Sequence, residues 1–369
     1  MMNVARIDRR AFCRNYQALQ TRVGGRAQVM AVIKADGYGH GMVELAVSLQ
    51  AVGADCFGIA TVEQGVVLRR AGVTGRLVVF LGGAASELET MQAHGLEPAL
   101  FDADQFHQFA AAAATLPAPL SVHLKVDCGM GRLGFQPEDT DFWCRKIAAA
   151  PGLKLVGVMS HFPSADFDAE ITRSHNRLFG RCVEKIRAQG LEVEAHIANS
   201  AATLRGQEYH WDLVRPGLAL YGCYPSADPG WRQTPLEPVM SVVSTIVQVE
   251  DAPADKGISY GHIDKTRRPS RLAVLPMGYA DGLSRHLSGG VGQVLIHGCR
   301  APIMGRVCMN VTVVDVTDIA AVRRGDEVVV MGCQGDERIS ADDIAAWMGT
   351  ISYEVLCLFG NSLPRLYIN

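Results

Sequence analysis

The sequence predicts an α/β protein with an appended β domain: an N-terminal (β/α)8 TIM barrel followed by a mainly β region. Three observations predict it. From about residue 25 to 220, short apolar β-rich runs alternate with longer segments of helical spacing. Strands that alternate with helices pair in parallel through βαβ crossovers. Eight such runs can be counted, the number that closes a barrel of ordinary size. Beyond about residue 235 the rhythm changes to strands separated by Gly-, Asp- and Pro-containing turns. A doubly wound open sheet is the structural alternative.

The chain opens with a strand at 3–6, which fits either domain, and a helical segment at 8–22. Barrel strands are expected at 30–34 (Val29 leading), 56–60, 77–81, 97–101, 121–126, 155–160, 194–198 and 213–215. Helical spacing recurs between them. The segment 41–53 repeats apolar residues at i, i+3 and i+4 and stops at Gly53. The segment 102–116 starts at Asp102, an N-cap residue, and stops before Pro117; the segment 169–189 closes at Gly190. Strands of the β region fall at 238–250, 271–276, 291–298, 311–316 and 326–332, followed by one short helix at 340–348. The expected domains are therefore 8–235 and 236–369, with 1–7 open to joining the second.

Composition excludes several classes. Hydrophobic residues at 48% and charged residues at 20% are globular values that rule out disorder. A net charge of −3 makes no electrostatic case for nucleic acid or an anionic membrane. No apolar run approaches the ~18 residues that span a bilayer. The N-terminus, MMNVARIDRR, lacks the apolar core of a signal peptide, so a cytoplasmic protein is expected. None of the ten cysteines forms a C-x-x-C pair. They read as reduced, largely buried thiols, and no metal site is expected.

Barrel enzymes carry their chemistry at the C-terminal strand ends. Here the first strand ends at Lys34. The fifth runs into Lys125, Asp127 and Arg132, and the sixth ends at His161. The seventh carries His196 and ends at Asn199 and Ser200, and the eighth ends at Arg215 before Pro216 and Gly217. Any one of these alone is ordinarily a solvated loop residue; together they bring five strand ends to one rim. Lys34 is flanked by Ala31, Val32, Ile33 and Ala35. An amine in an apolar pocket has its charged form disfavoured and can act as a Schiff-base nucleophile. The alternative is a lysine snorkelling at a strand end. The loops after strands seven and eight, with Ser200, Gly217 and Leu218, match the usual barrel phosphate site. A lysine beside a phosphate cradle on a barrel suggests pyridoxal 5′-phosphate (PLP).

These stretches resemble those of the alanine racemases. AVIKADGYGHG is similar to that family's PLP-lysine signature. The likeness runs in order through DCGMGRLGF, SHF, ANSAA, VRPGLALYG, SYG, GYADG, GRVCMN and SYEVLC, across nearly the whole chain. It implies a PLP-dependent homodimer that interconverts L- and D-alanine, with a barrel and a C-terminal β domain. Residue by residue, it implies that Lys34 holds PLP. Tyr38, Ser200, Gly217, Leu218 and Tyr353 would bind its phosphate, beside Asn199. Arg215 would face the pyridine nitrogen, with His161 and His196 behind it. Arg132 would contact the phenolic oxygen and the substrate carboxylate. Lys125 resembles a lysine that many members carbamylate and that orients this arginine. Tyr260 resembles the second catalytic base, acting with Met309 in the partner's active site, and Tyr279 resembles a residue of the substrate entryway.

Racemisation removes the Cα proton from one face and returns one on the other, so two bases on opposite faces suit it; Lys34 and Tyr260 are the candidates. An arginine facing the pyridine nitrogen can only donate, which leaves the carbanion less delocalised and favours reprotonation over transamination. Two positions depart from the family pattern. Cys128 stands where threonine is usual, and Asn310 follows Cys308–Met309 where aspartate is common, which bears on substrate range. A broad-specificity or serine-preferring racemase is the nearest alternative. A non-catalytic PLP-homeostasis protein is the alternative of another class, and the β region with SYG and CMN argues against it. Supply of D-alanine to peptidoglycan and alanine catabolism are equally compatible with the sequence.

Overall fold

A computed structural model describes residues 2–226 and 228–369. The chain divides into two compact units. One comprises Phe12–Gly37 and Met42–Glu237; the other gathers the N-terminal segment through Ala11, Tyr38–Gly41 and Pro238–Asn369.

The first unit is the barrel. Seven parallel strands follow one another in chain order: Ala31–Val32, Cys56–Ile59, Arg76–Val79, Leu96–Leu100, Leu120–Lys125, Leu153–Met159 and Glu194–His196. The eighth, Leu213–Val214, pairs in parallel with Gln28–Val29. Val32 N donates to Pro216 O at 3.1 Å on that same side, and on the other side Arg215 N donates to Ala198 O at 2.9 Å, after the seventh strand. These bonds close the ring. Strands covered by helices outside and by side chains inside are apolar throughout, and Leu77, Val78 and Val79 are all fully buried. The crossover helices are capped as their sequences dictate. Asp102 accepts from Gln105 N at 2.8 Å, and Asp168 accepts from Ile171 N at 2.8 Å at the head of Ala169–Arg187.

The end of the first strand differs from the expectation. Regular pairing stops at Val32, and Lys34 opens a tight turn rather than ending a strand. Ala35, Asp36 and Tyr38 all hold φ between 52° and 54°, alongside Gly37 and Gly39. Each non-glycine residue in this left-handed region costs roughly 1–2 kcal/mol. The turn is held by Gly37 N on Ile33 O at 2.8 Å and by Asp36 Oδ1 on Met42 N at 2.9 Å.

The second unit is mainly β. Its central sheet includes Val4–Asp8, which pairs antiparallel with Met240–Thr245 and parallel with Arg365–Ile368. Two helices follow the sheet strands, where the sequence reading had one. Ala341–Met348 starts at Ser340, whose Oγ accepts from Asp343 N at 3.1 Å. Ser352–Ser362 buries Val355, Leu356 and Phe359. The Tyr38–Gly41 segment lies on this second helix. A Cβ on Gly39 (φ +81) would stand 2.8 Å from Leu356 O, and one on Gly360 would stand 2.1 Å from Gly39 O. Two glycines thus permit a backbone-to-backbone approach that no side chain could share. Among the described residues, no helix is long and apolar enough to cross a membrane.

Candidate active site

Arg215 anchors the barrel half of the site. Its side chain is buried, yet its acceptors carry no charge. Nη1 lies 2.9 Å from His196 Nδ1 and Nη2 lies 3.3 Å from His161 Nδ1; Nη2 also donates to the carbonyls of Ser160 and Ile197. Burial lowers the guanidinium pKa to about 9, which still leaves it protonated at neutral pH. Burial and the neighbouring Arg215 hold both His161 and His196 well below the usual histidine range, so both imidazoles are neutral.

Around it stand further cations. Burial first, then Arg215, Arg132 and Lys34, pushes the Lys125 amine down to about 8 against the pull of Asp127. The carboxylate of Asp127 is committed elsewhere. Its Oδ1 accepts from the N–H groups of Gly129 (3.0 Å), Met130 (2.7 Å) and Gly131 (3.1 Å), and its Oδ2 accepts from Arg132 N at 3.0 Å. This cradle fixes the loop that carries Arg132. Although burial opposes it, these four donors hold the Asp127 carboxyl below its ordinary pKa.

At the eighth strand end, Ser200 Oγ accepts from Gly217 N at 2.9 Å and from Ala219 N at 3.1 Å. The Gly217 amide is therefore turned onto Ser200, and Ser200 keeps its own hydroxyl hydrogen to donate. Asn199 serves as a cap, its Oδ1 accepting from Ala202 N at 3.0 Å. Leu218 is buried in the turn that follows. Lys34, Lys125, Arg132 and Arg215 thus cluster, and the carboxylate of Asp127 beside them is held by backbone N–H groups. That donor set fits a phosphorylated, anionic cofactor.

The second unit carries the other candidates. The Tyr38 and Tyr353 rings lie 5.8 Å apart at 39°. Burial, then Tyr353 and Cys357, pushes the Tyr38 phenol far above its ordinary pKa, so it stays a donor. Tyr260 is 70% exposed, between Ser259 (φ 59) and Gly261 (φ 68). Its loop is pinned by Ser259 Oγ donating to Arg306 O at 2.7 Å. The Cys308–Met309 segment is tied in turn to the Tyr279 loop: Tyr279 N donates to Cys308 O and Ala280 N to Met309 O, both at 3.0 Å. Tyr260, Tyr279 and Met309 therefore sit on three connected loops, all exposed.

The sequence matches alanine racemase, N-terminal domain, over residues 7–225 and alanine racemase, C-terminal domain, over 239–367. The chain belongs to the alanine racemase family. It is 41% identical over 362 residues to an alanine racemase of Nitratidesulfovibrio vulgaris, covering 97% of this chain and 95% of the relative. It is also similar to the crystal structure of alanine racemase from D-cycloserine-producing Streptomyces lavendulae, with a TM-score of 0.94, 35% identity and coverage of 100% and 97%. The Bacillus anthracis alanine racemase with bound L-Ala-P superposes with a TM-score of 0.92 at 29% identity, covering 100% and 95%. Like other alanine racemases, the chain is an isomerase. Of its two departures from the family's usual residues, Cys128 is buried with its thiol hydrogen-bonded to Cys182. Asn310 is exposed beside Met309.

Proposed function

We propose that this chain racemises alanine with PLP, using Lys34 and Tyr260 as its two bases. Both halves of the family match support it, including the C-terminal half that holds Tyr260 and that a non-catalytic single-barrel PLP protein lacks. The observation that carries the cofactor reading is the cationic cluster centred on buried Arg215, whose own acceptors are neutral.

Lys34 would hold PLP covalently, with Ser200, Leu218, Tyr38 and Tyr353 on the phosphate, Gly217 N orienting the Ser200 hydroxyl toward it, and Arg132 on the phenolic oxygen. PLP supplies the electron sink that acidifies the substrate's Cα proton. The rest is the protein's work. Arg132, presented by the Asp127 cradle, takes the substrate carboxylate. Lys34 Nζ takes or returns a proton on one face, and Tyr260 Oη does so on the other. Arg215 would face the ring nitrogen with donors alone, and a ring nitrogen left unprotonated would leave more charge at the substrate Cα, where a proton can return.

Tyr260, Met309 and Tyr279 would complete the site of a partner subunit in a homodimer, with Tyr279 at the entryway. The bound L-Ala-P of the Bacillus anthracis relative supports alanine as the substrate. Asn310 lacks the usual carboxylate at this entrance, so serine is the second substrate to examine. The setting we favour is cytoplasmic, where the ten cysteines stay reduced. The product would feed peptidoglycan or alanine catabolism.

The test is an absorbance spectrum followed by racemisation of a panel of L-amino acids. A band near ~420 nm that borohydride removes, with label on Lys34, is expected, together with fastest turnover on alanine. A colourless enzyme, or one that ignores alanine, overturns the reading.

A further inference from the structure

We infer that His123 and Glu97, inside the barrel, are positioning residues for Arg215, acting through a one-way chain of hydrogen bonds that also fixes the tautomers of His123 and His196. The inference rests on the reading that Arg215 faces the cofactor ring.

The chain joins four residues through three links. Arg215 Nη1 lies 2.9 Å from His196 Nδ1, His196 Nε2 lies 3.0 Å from His123 Nδ1, and His123 Nε2 lies 2.9 Å from Glu97 Oε2. Beyond Glu97, Arg76 Nη2 donates to Oε2 at 2.9 Å and Nε donates to Oε1 at 3.3 Å, while Arg76 Nη1 reaches Glu194 Oε1 at 2.9 Å.

The direction follows from the two ends. A guanidinium only donates and a carboxylate only accepts. His196 Nδ1 must therefore be bare, and the neutral ring carries its hydrogen on Nε2. That hydrogen points at His123 Nδ1, which must accept it. A doubly protonated His123 would set two N–H groups against each other across the 3.0 Å contact. His123 is then neutral with its hydrogen on Nε2, aimed at Glu97. Every link points from Arg215 to Glu97, and each donor polarises the next. Burial works against the Glu97 charge, but hydrogen bonds from His123 and Arg76 hold its carboxyl down at about 2, so the chain ends on a permanent anion.

The backbone is shaped for this chain. Glu97, His123 and His196 lie on the fourth, fifth and seventh strands. The sixth is crossed at Gly157, the register partner of His123. A Cβ on Gly157 would land 2.1 Å from His123 Nδ1. The missing side chain lets the His123 ring lie across the sixth strand and meet His196 beyond it. Both rings are fully buried, so water does not substitute for a lost link.

The experiment uses full-length enzyme with 15N-labelled histidine, first free of cofactor and then loaded. In the wild type, the two buried imidazoles that His123→Asn and His196→Asn assign should each show one protonated and one bare nitrogen. Glu97→Gln should mix the tautomers of His123. In the loaded enzyme it should lower kcat by about tenfold or more with KM within about twofold, the signature of a lost transition-state interaction. Glu97→Asp should restore the single tautomer and most of kcat, and separates the carboxylate's role from simple packing. Gly157→Ala should disturb the same two resonances without removing any polar group. Resonances that do not respond to Glu97→Gln, or a kcat within about twofold of wild type, overturn the inference. If wild type shows the tautomer pattern but never takes up PLP, the cofactor reading fails while the chain stands.

Discussion

Replacing Asp127 by alanine removes one carboxylate and leaves four N–H groups, those of Gly129, Met130, Gly131 and Arg132, without their common acceptor. A hydrogen bond to a charged group contributes about 1.5–3 kcal/mol when shielded from water. Gly129, Gly131 and Arg132 are exposed, so water can replace much of that. A net loss of roughly 2–3 kcal/mol is the reasonable sum. The loss falls on the loop that presents Arg132, and substrate binding should bear it. If about 2 kcal/mol is spent re-ordering the loop around the carboxylate, KM for alanine rises roughly thirtyfold. The fall in kcat should be smaller than the rise in KM. Asp127→Asn keeps one acceptor oxygen and should give an intermediate KM. Steady-state racemisation in both directions, beside a thermal melt, reads both effects. A melt lowered by several degrees with KM within about twofold of wild type would show that the cradle only staples the loop, and the reasoning would fail.

Two further outcomes follow from local geometry. Gly39→Ala places a Cβ 2.8 Å from Leu356 O at φ +81; the left-handed backbone alone costs roughly 1–2 kcal/mol, so a melt lowered by several degrees is expected and an unchanged melt refutes it. Lys125, held down to about 8, is about one-tenth uncharged at pH 7. The uncharged fraction grows as pH rises through that value, so the amine can take up CO2 as a carbamate. A carbamate signal from 13C-bicarbonate that disappears in Lys125→Ala is expected, and no signal in the parent enzyme counts against it.

Much of this was legible in the sequence because a parallel barrel strand is dry on both faces. Runs such as Leu77–Val79 announce themselves by apolar content alone, and Asp102 reads as a cap because only a short acceptor side chain serves there. The turn at Lys34 was not legible. Asp36 tolerates a left-handed backbone, but nothing in the identities of Ala35 or Tyr38 asks for one; hydrogen bonds and packing impose it there against local preference. The Ser352–Ser362 helix carries its signal in Val355, Leu356 and Phe359, but Gly360 in its last turn obscures the pattern. At the site, strand-end residues could be named from sequence because barrel chemistry gathers there. The partnership of His123 with Glu97 could not, since it depends on strand register and on the empty space at Gly157.

The two proposed bases come from surroundings of opposite character, and this makes the partner-subunit arrangement testable. Lys34 belongs to a sheltered cationic cluster in the barrel unit. Tyr260 is 70% exposed, and Met309, Ile263 and Tyr279 beside it in the same unit are 56%, 46% and 44% exposed. Large apolar side chains gathered at a surface mark a place that another surface covers. A two-fold dimer in which each Tyr260 serves the partner's Lys34 gives that exposure its reason. Lys34→Ala and Tyr260→Phe should each be inactive alone. Unfolded together and refolded, random pairing makes about half of the dimers mixed. In a mixed dimer one site combines both substitutions and the other combines neither, so about a quarter of wild-type activity should return. If each tyrosine served its own subunit, every site in the mixture would keep one defect and no activity would return. Recovery near a quarter thus assigns the phenol to the partner, and its absence from a mixture shown to contain mixed dimers removes Tyr260 from that role.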